Sequence, residues 1–185
     1  LLTTLLLAAT AGGAEFERQY AFAAERFEVR NLIGQVTLEP SATSRWEVVV
    51  AVRGRDADPE RIGVELVRGG KVELVVGFPP EQHAFVYPRL GPDGKTSISG
   101  FDAEPVSGFW DTLVHLVRNG LGSDRITVRG TGDGLEVWAD VTVRVPADAT
   151  ITAALGVGEL RAAGLTGEAI LDTHAAAITV DDHTG

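Results

Sequence analysis

The sequence predicts an all-β fold in which β-solenoid-like rungs are flanked by antiparallel strands. One pattern of twelve residues occurs three times: mostly apolar side chains on four alternate positions, a gap of two residues, then two more alternating apolar residues. These positions are Phe27, Val29, Asn31, Ile33, Val36 and Leu38; Ile151, Ala153, Leu155, Val157, Leu160 and Ala162; and Ala169, Leu171, Thr173, Ala175, Ile178 and Val180. Alternation directs one side of an extended strand inward, so each copy is expected to form a rung.

Small residues where the alternation is interrupted also favour the β-solenoid-like fold. Gly34, Gly158 and Ala176 stand where the alternation changes parity, as expected of a corner at which the inward face of a strand switches. The second and third copies begin 18 residues apart, at positions 151 and 169. We therefore expect them to be adjacent rungs. The chain has 22 glycines, and glycine reaches positive φ at tight corners without a steric penalty.

Two further elements are predicted after the first rung. Residues 46–52 alternate with β-branched side chains on both faces, which predicts a central strand that is covered on both sides. Residues 64–66 and 72–76 flank the dipeptide Gly69-Gly70. Two apolar runs around such a dipeptide predict a β-hairpin.

Three more strands are predicted before the second rung. Residues 126–128 and 135–137 bracket a glycine-rich turn, and residues 141–145 alternate up to Pro146. We expect these strands to lead straight into the rungs.

The segment 78–124 is predicted to be an insertion that carries one short helix. It contains five of the eight prolines. Apolar residues at helical spacing, with a serine cap before them and a glycine stop after them, predict the helix. These residues are Phe109, Leu113, Leu116 and Val117, with Ser107 and Gly120. We expect the helix to pack over an open end or edge of the β structure; the alternative is a partner-binding or membrane-facing tip.

The two ends of the chain lead to separate expectations. Residues 1–14 are uncharged and apolar and end in small residues, which predicts a truncated signal peptide. A membrane span needs about 20 apolar residues, so no integral span is predicted there. Residues 15–185 are expected to form a single domain whose repeat stops midway. Further rungs are therefore expected, together with self-association through the open solenoid end.

The charge and the cysteine content exclude some classes of binding partner and site. The net charge is -10, and no cluster of lysine and arginine occurs. A surface of this charge repels phosphate backbones, so no nucleic acid is predicted as a partner. The chain has no cysteine, which excludes disulfides, thiolate zinc sites and thiol nucleophiles.

No catalytic, cofactor-binding or metal-ligating residue is predicted. The sequence has no nucleophile elbow, no phosphate-binding loop, no paired-histidine zinc motif and no EF-hand. The glycine-rich run 130–134 joins two strands and is predicted to be a turn. The four histidines, His83, His115, His174 and His183, are scattered, and His115 lies within the predicted helix, where an imidazole is more often structural or exposed than a ligand.

One local cluster of acidic residues could bind Ca²⁺ or act in acid–base chemistry. It comprises Asp172, Asp181, Asp182 and His183. The positions 18 residues earlier are Ala154, Ala163, Gly164 and Leu165, so no ladder of carboxylates is predicted, and no metal. Adjacent Asp181 and Asp182 are predicted to be turn residues. A carbohydrate-active enzyme would need converging carboxylates, for which Asp172, Asp181 and Glu159 are the nearby candidates.

The chain resembles the bacterial "putative adhesin" domains, a family of exported β-solenoid domains of the cell envelope. The motifs that carry the resemblance are residues 27–38, 141–146 and 164–167. The resemblance covers residues 22–77 and 125–185, and the chain departs from the family pattern at 78–124. It implies an all-β fold and gives no catalytic residues to transfer.

The resemblance also implies a function class. The expected function is that of a non-catalytic, adhesin-like binding or scaffold module of the bacterial envelope, exported to the periplasm, the cell surface or the medium. Its long faces and the insertion would contact a protein or glycan of the envelope. The alternatives are a carbohydrate-active enzyme on a β-helix and a self-assembling structural envelope protein.

Overall fold

A computed structural model of the chain describes residues 15–69, 71–79, 81–98 and 125–182. These residues form twelve strands and one 3-10 turn, Pro88–Leu90. The strands are β1 (Phe16–Phe22), β2 (Arg26–Pro40), β3 (Trp46–Arg53), β4 (Gly63–Arg68), β5 (Val72–Gly77), β6 (Ala84–Val86), β7 (Lys95–Ile98), β8 (Ile126–Arg129), β9 (Leu135–Glu136), β10 (Trp138–Val145), β11 (Thr150–Ala163) and β12 (Ala169–Asp181). The predicted all-β class is confirmed for these residues.

The larger of two sheets is mixed and open. Its main path runs β1-β3-β10-β2-β11-β12, and β5 joins β2 beside β10 and carries β4 on its other side. Strands β1, β3 and β10 pair antiparallel, whereas β10, β2, β11 and β12 pair parallel. The described residues therefore show stacked parallel strands with an antiparallel flank, without closing into a coil.

The three copies of the repeat pair in the register that the sequence predicts. Ile151 lies opposite Phe27 on β2 and Ala169 on β12, and each later position of the pattern stays aligned through Ala162. The inward positions of β2 and β11 are buried. Residues 151–162 and 169–180 therefore pair as adjacent parallel strands, as predicted, but the described residues do not show a solenoid.

The corners of β2 and β11 are stacked glycines. Gly34 and Gly158 lie opposite each other and share a φ of +137°. A Cβ on Gly158 would overlap the carbonyl oxygen of Gly34, and a Cβ on Gly34 would overlap that of Ala139. Only glycine tolerates both the dihedral angle and the close approach. Ala176, the third corner residue, lies opposite Gly158 and has no positive φ.

An aromatic cluster closes one end of the core. The ring of Phe27 lies 5.0 Å from that of Phe22 and 5.2 Å from that of Trp46, measured between centroids. All three side chains are buried. The indole Nε1 of Trp46 donates a hydrogen bond of 2.8 Å to the carbonyl of Ala24, which satisfies the polar atom that burial would otherwise leave unpaired.

The prediction that residues 46–52 form a central strand was correct, but the prediction that both faces of this strand are covered was wrong. Strand β3 is central, between β1 and β10. Its inward residues are buried, but Val49 and Ala51 on the other face are only half-buried, because this side of the sheet faces solvent. Strand β1, which the sequence reasoning did not predict, pairs with β3 from Phe16 opposite Val52 to Phe22 opposite Trp46.

The predicted hairpin is present, and the later strands are arranged differently from the prediction. Strands β4 and β5 pair antiparallel, with Arg68 opposite Val72. Strands β8 and β9 do not lead straight into the rungs, because β6 lies between them and pairs parallel with both. The second sheet, β7-β8-β6-β9, therefore contains part of the predicted insertion. The predicted helix and signal peptide lie outside the described residues.

Asn31 is a polar residue at a core position, and its replacement is expected to destabilise the fold. It is fully buried, and its Nδ2 donates a hydrogen bond of 2.7 Å to the carbonyl of Ala139, beside the Gly34 corner. Asn31→Ala would remove this buried hydrogen bond and open a cavity, so we expect a loss of about 1–3 kcal/mol in the free energy of unfolding, measured with urea. Thr173→Ala, at the aligned, half-buried position of β12, should cost less; an equal loss would contradict this role for Asn31.

Candidate binding face

The outward side chains beyond the corners form a continuous surface across the larger sheet. We call this surface the outer face and define it by two rows that the strand register places side by side: Ala51, Asp140, Gln35, Glu159 and Ala177; and Gln19, Val49, Thr142, Thr37, Arg161 and Thr179. Every one of these residues is exposed or half-buried. The face therefore meets solvent over the six strands from β1 to β12.

Ion pairs neutralise much of the charge on and beside this face. Arg144 contacts Glu39 and Glu47, each at 3.0 Å, and its hydrogen bond to Glu39 is the leading cause that raises the pKa of Arg144. Arg161 contacts both carboxylate oxygens of Glu159, at 2.7 and 2.8 Å. Exposed pairs of this kind add little to stability, but they leave the face presenting mainly hydroxyl, amide and methyl groups.

A groove of about 280 Å³ indents the outer face between β1, β3 and β10. Its lining combines apolar and polar groups: Gln19, Tyr20, Ala21, Glu47, Val48, Val49, Thr142 and Arg144. The hydroxyl of Tyr20 donates a hydrogen bond of 3.1 Å to the carbonyl of Val64, and burial raises the pKa of this tyrosine. Because Tyr20 pairs with the buried Val48, its side chain lies on the inward face of the sheet, opposite the face that carries Gln19 and Val49.

An arginine that follows β6 of the second sheet contacts the outer face. Arg89 makes two hydrogen bonds to the carboxylate of Asp140, at 3.0 and 2.8 Å. Its guanidinium lies 6.0 Å from the ring centroid of Trp138, which is 5.8 Å from that of Tyr87. Burial is the main cause that raises the pKa of Tyr87. A bidentate arginine–carboxylate pair fixes geometry, so residues 87–89 hold the second sheet against β10.

A buried charge cluster, missed by the sequence reasoning, lies on the outward side of β2 before its corner. Arg30 contacts Glu28 at 2.6 Å and Glu73 at 2.8 Å, and Lys71 contacts both glutamates. Glu28 and Arg30 are buried. The sequence carries a signal for this cluster. Two charged residues, Glu28 and Arg30, occupy outward positions of β2, and the paired strand β5 carries Glu73 and is preceded by Lys71. Two acidic and two basic groups balance in charge, as burial requires.

The acidic residues singled out in the sequence do not converge. Asp172 precedes the corner of β12, whereas Asp181 ends that strand on the far side of the corner. Glu159 pairs with Arg161 instead. Asp182 adopts a φ of +49° directly after β12, in keeping with its predicted place in a turn.

Within residues 15–69, 71–79, 81–98 and 125–182, no group of three metal-ligating side chains occurs. His83 is half-buried just before β6, and its Nδ1 has no hydrogen-bond partner. His174 is exposed on β12. His115 and His183 lie outside the described residues. In the same part of the chain, no helix has the length and apolar character needed to cross a membrane.

Comparisons with known proteins give one distant structural similarity. No protein-family model matches the chain, and no curated protein matches it significantly. Among solved structures, the chain is similar to a crystal structure described as that of a "putative cell adhesion protein" from Clostridium sporogenes, with a TM-score of 0.38 and 13% identity. The similarity covers 90% of this chain and 58% of that protein. At this level, no property of that protein is transferred to the chain.

Proposed function

We propose that this chain is a non-catalytic, adhesin-like binding or scaffold module, built on β-solenoid-like stacking and exported to the bacterial cell envelope. The observation that carries the proposal is the outer face, a surface six strands wide with a groove of about 280 Å³. The apolar residues 1–14 and the family resemblance of the sequence support export.

The chemistry of the outer face favours an uncharged polar partner. Its arginines are already paired with carboxylates, so a charged ligand would have to compete with these contacts. The centre of the face offers the hydroxyls of Thr37 and Thr142 beside the side chain of Val49. Convergent polar groups on an apolar floor are typical of a ligand groove. A neutral glycan segment or a polar protein surface of the envelope has the matching chemistry.

Blocking the groove is the test of this proposal. Thr142→Trp would fill the groove without changing its charge, and Thr166→Trp would place the same side chain in an exposed loop away from it. Binding of the chain to an immobilised uncharged glycan and to envelope protein fractions is measured by interferometry. We expect Thr142→Trp to weaken binding at least about tenfold, which is 1.4 kcal/mol, and Thr166→Trp to have no effect.

Three results would overturn the proposal. Equal binding by the wild-type chain and both variants would show that the groove is not the contact surface. No binding to any fraction would remove the binding role, and release of soluble sugar from the glycan by the wild-type chain would show catalysis. Circular dichroism of both variants checks that the fold is retained.

A further inference from the structure

A cavity of about 480 Å³ lies among three loops of the larger sheet. These loops are residues 23–25 between β1 and β2, 41–45 between β2 and β3, and 146–149 between β10 and β11. We call this space the loop cavity. Its volume falls within the range of about 300–1,000 Å³ that is usual for small-molecule sites, and it shares no lining residue with the outer face or the groove in that face.

Hydrogen bonds to neighbouring strands hold the walls of the loop cavity in place. The backbone N–H of Ser41 donates to the carbonyl of Val145 at 2.8 Å, and that of Thr150 donates to the carbonyl of Glu25 at 3.2 Å. The buried Pro146 adds an apolar part to the lining. Because the loops are tied to strands in this way, the cavity is formed before a ligand binds, which favours binding.

The charged groups that line the loop cavity are all acidic. The polar lining comprises the carboxylates of Glu25 and Asp148 and the hydroxyls of Ser41, Thr43 and Ser44, and no lysine or arginine of the described residues takes part. In the same part of the chain, neither carboxylate belongs to an ion pair. A cleft lined by charges of one sign concentrates ions of the opposite sign. The loop cavity therefore favours a cationic ligand.

The arginine that ends the loop 41–45 is directed away from the cavity. The guanidinium of Arg45 donates a hydrogen bond of 3.3 Å to the carbonyl of Ala21 on β1, and Arg45 does not line the cavity. On the outer face, by contrast, Arg144 and Arg161 neutralise the carboxylates that they contact. The loop cavity and the outer face therefore differ in the charge that they present to a ligand.

The lining of the loop cavity fits an ammonium group on a hydroxylated molecule. An ammonium group has three N–H donors, and the carboxylates and hydroxyls supply oxygen acceptors for them. The volume also leaves room for the rest of such a molecule, whose own hydroxyls would exchange hydrogen bonds with the serine and threonine side chains. We propose that the loop cavity binds a primary ammonium compound that also carries hydroxyl groups, such as an amino sugar. This site goes beyond the proposed function, because it is separate from the outer face.

Glucosamine and glucose form a matched pair of probes, because they differ only in the amine that replaces one hydroxyl group. Calorimetric titration of the full chain at about pH 6 keeps the amine protonated and the carboxylates ionised. We expect glucosamine to bind at least about tenfold more tightly than glucose, since only its ammonium group forms charge-assisted hydrogen bonds. Equal affinities, or no binding of glucosamine, would overturn the proposal.

Asp148→Asn removes a charge from the loop cavity and retains the shape of the side chain. Asp148 has a φ of +58°, which asparagine also adopts, so the variant is expected to fold. Asp182→Asn is the matched control, because Asp182 has a φ of +49° and lies outside the cavity. We expect Asp148→Asn and Glu25→Gln each to weaken glucosamine binding at least about tenfold, and Asp182→Asn to leave it unchanged. Wild-type affinity in the first two variants, or an equal loss in Asp182→Asn, would contradict the site.

Discussion

Gly158→Ala is expected to destabilise the fold more than any of the other substitutions proposed. At a φ of +137° an L-residue is strained, and the added Cβ would overlap the carbonyl oxygen of Gly34 on the neighbouring rung. The backbones of β2 and β11 would have to separate along their paired length to relieve this contact. We expect a loss of at least about 3–5 kcal/mol, which is a large part of the roughly 5–15 kcal/mol that stabilises a typical domain.

Alanine substitutions at two other glycines separate two causes of the loss of stability, the positive dihedral angle and the close contact. Gly132 has a φ of +112° with no atom within 4 Å of the point that a Cβ would occupy, and Gly63 has neither the positive φ nor a neighbour. In thermal unfolding, Gly63→Ala should resemble the wild type, Gly132→Ala should lose some stability, and Gly158→Ala should lose the cooperative transition. A stable Gly158→Ala chain would contradict the stacked corner.

Arg30→Met is expected to have the second-largest effect. The arginine is buried and contacts both Glu28 and Glu73. Removing the guanidinium while the two carboxylates stay leaves buried negative charge that Lys71 alone does not balance. Breaking a buried ion pair on one side costs about 3–5 kcal/mol, and urea unfolding of the full chain measures this loss.

The chain contains a matched control for this experiment. Glu159 and Arg161 on β11 have the same spacing as Glu28 and Arg30 on β2, but their pair is exposed to solvent. Arg161→Met should therefore leave the urea midpoint unchanged. If the two arginine variants behaved alike, burial would not be what makes the Glu28–Arg30 contact important.

The pairing of the stacked parallel strands could be predicted from the sequence because the pattern that specifies it is local and repeated. Alternation specifies which side chains point inward, and Gly34 and Gly158 mark the positions where the backbone turns. The 18-residue offset then specifies which residues lie opposite one another. The alignment of Ile151 with Ala169 follows from these features alone.

Other parts of the fold depend on contacts that no local pattern encodes. Strand β1 is short and rich in polar and charged residues, and it is held by pairing with β3. Strand β6 lies between β8 and β9, although it is about 40 residues away from them in the chain. The outer face likewise appears only when the register places separate strands side by side, and the pairing of β2 with β5 is what joins the charges at Glu28, Arg30 and Glu73 into one cluster.

The outer face depends on the register of the stacked strands, and paired cysteines test that register most directly. Gln35 and Glu159 lie opposite each other on β2 and β11, whereas Ala163 is four residues farther along β11. We predict rapid intramolecular disulfide formation in the full-length variant with cysteines at 35 and 159, since directly paired residues lie within disulfide range. Cysteines at 35 and 163 should remain reduced; the opposite outcome would contradict the stacking of the rungs.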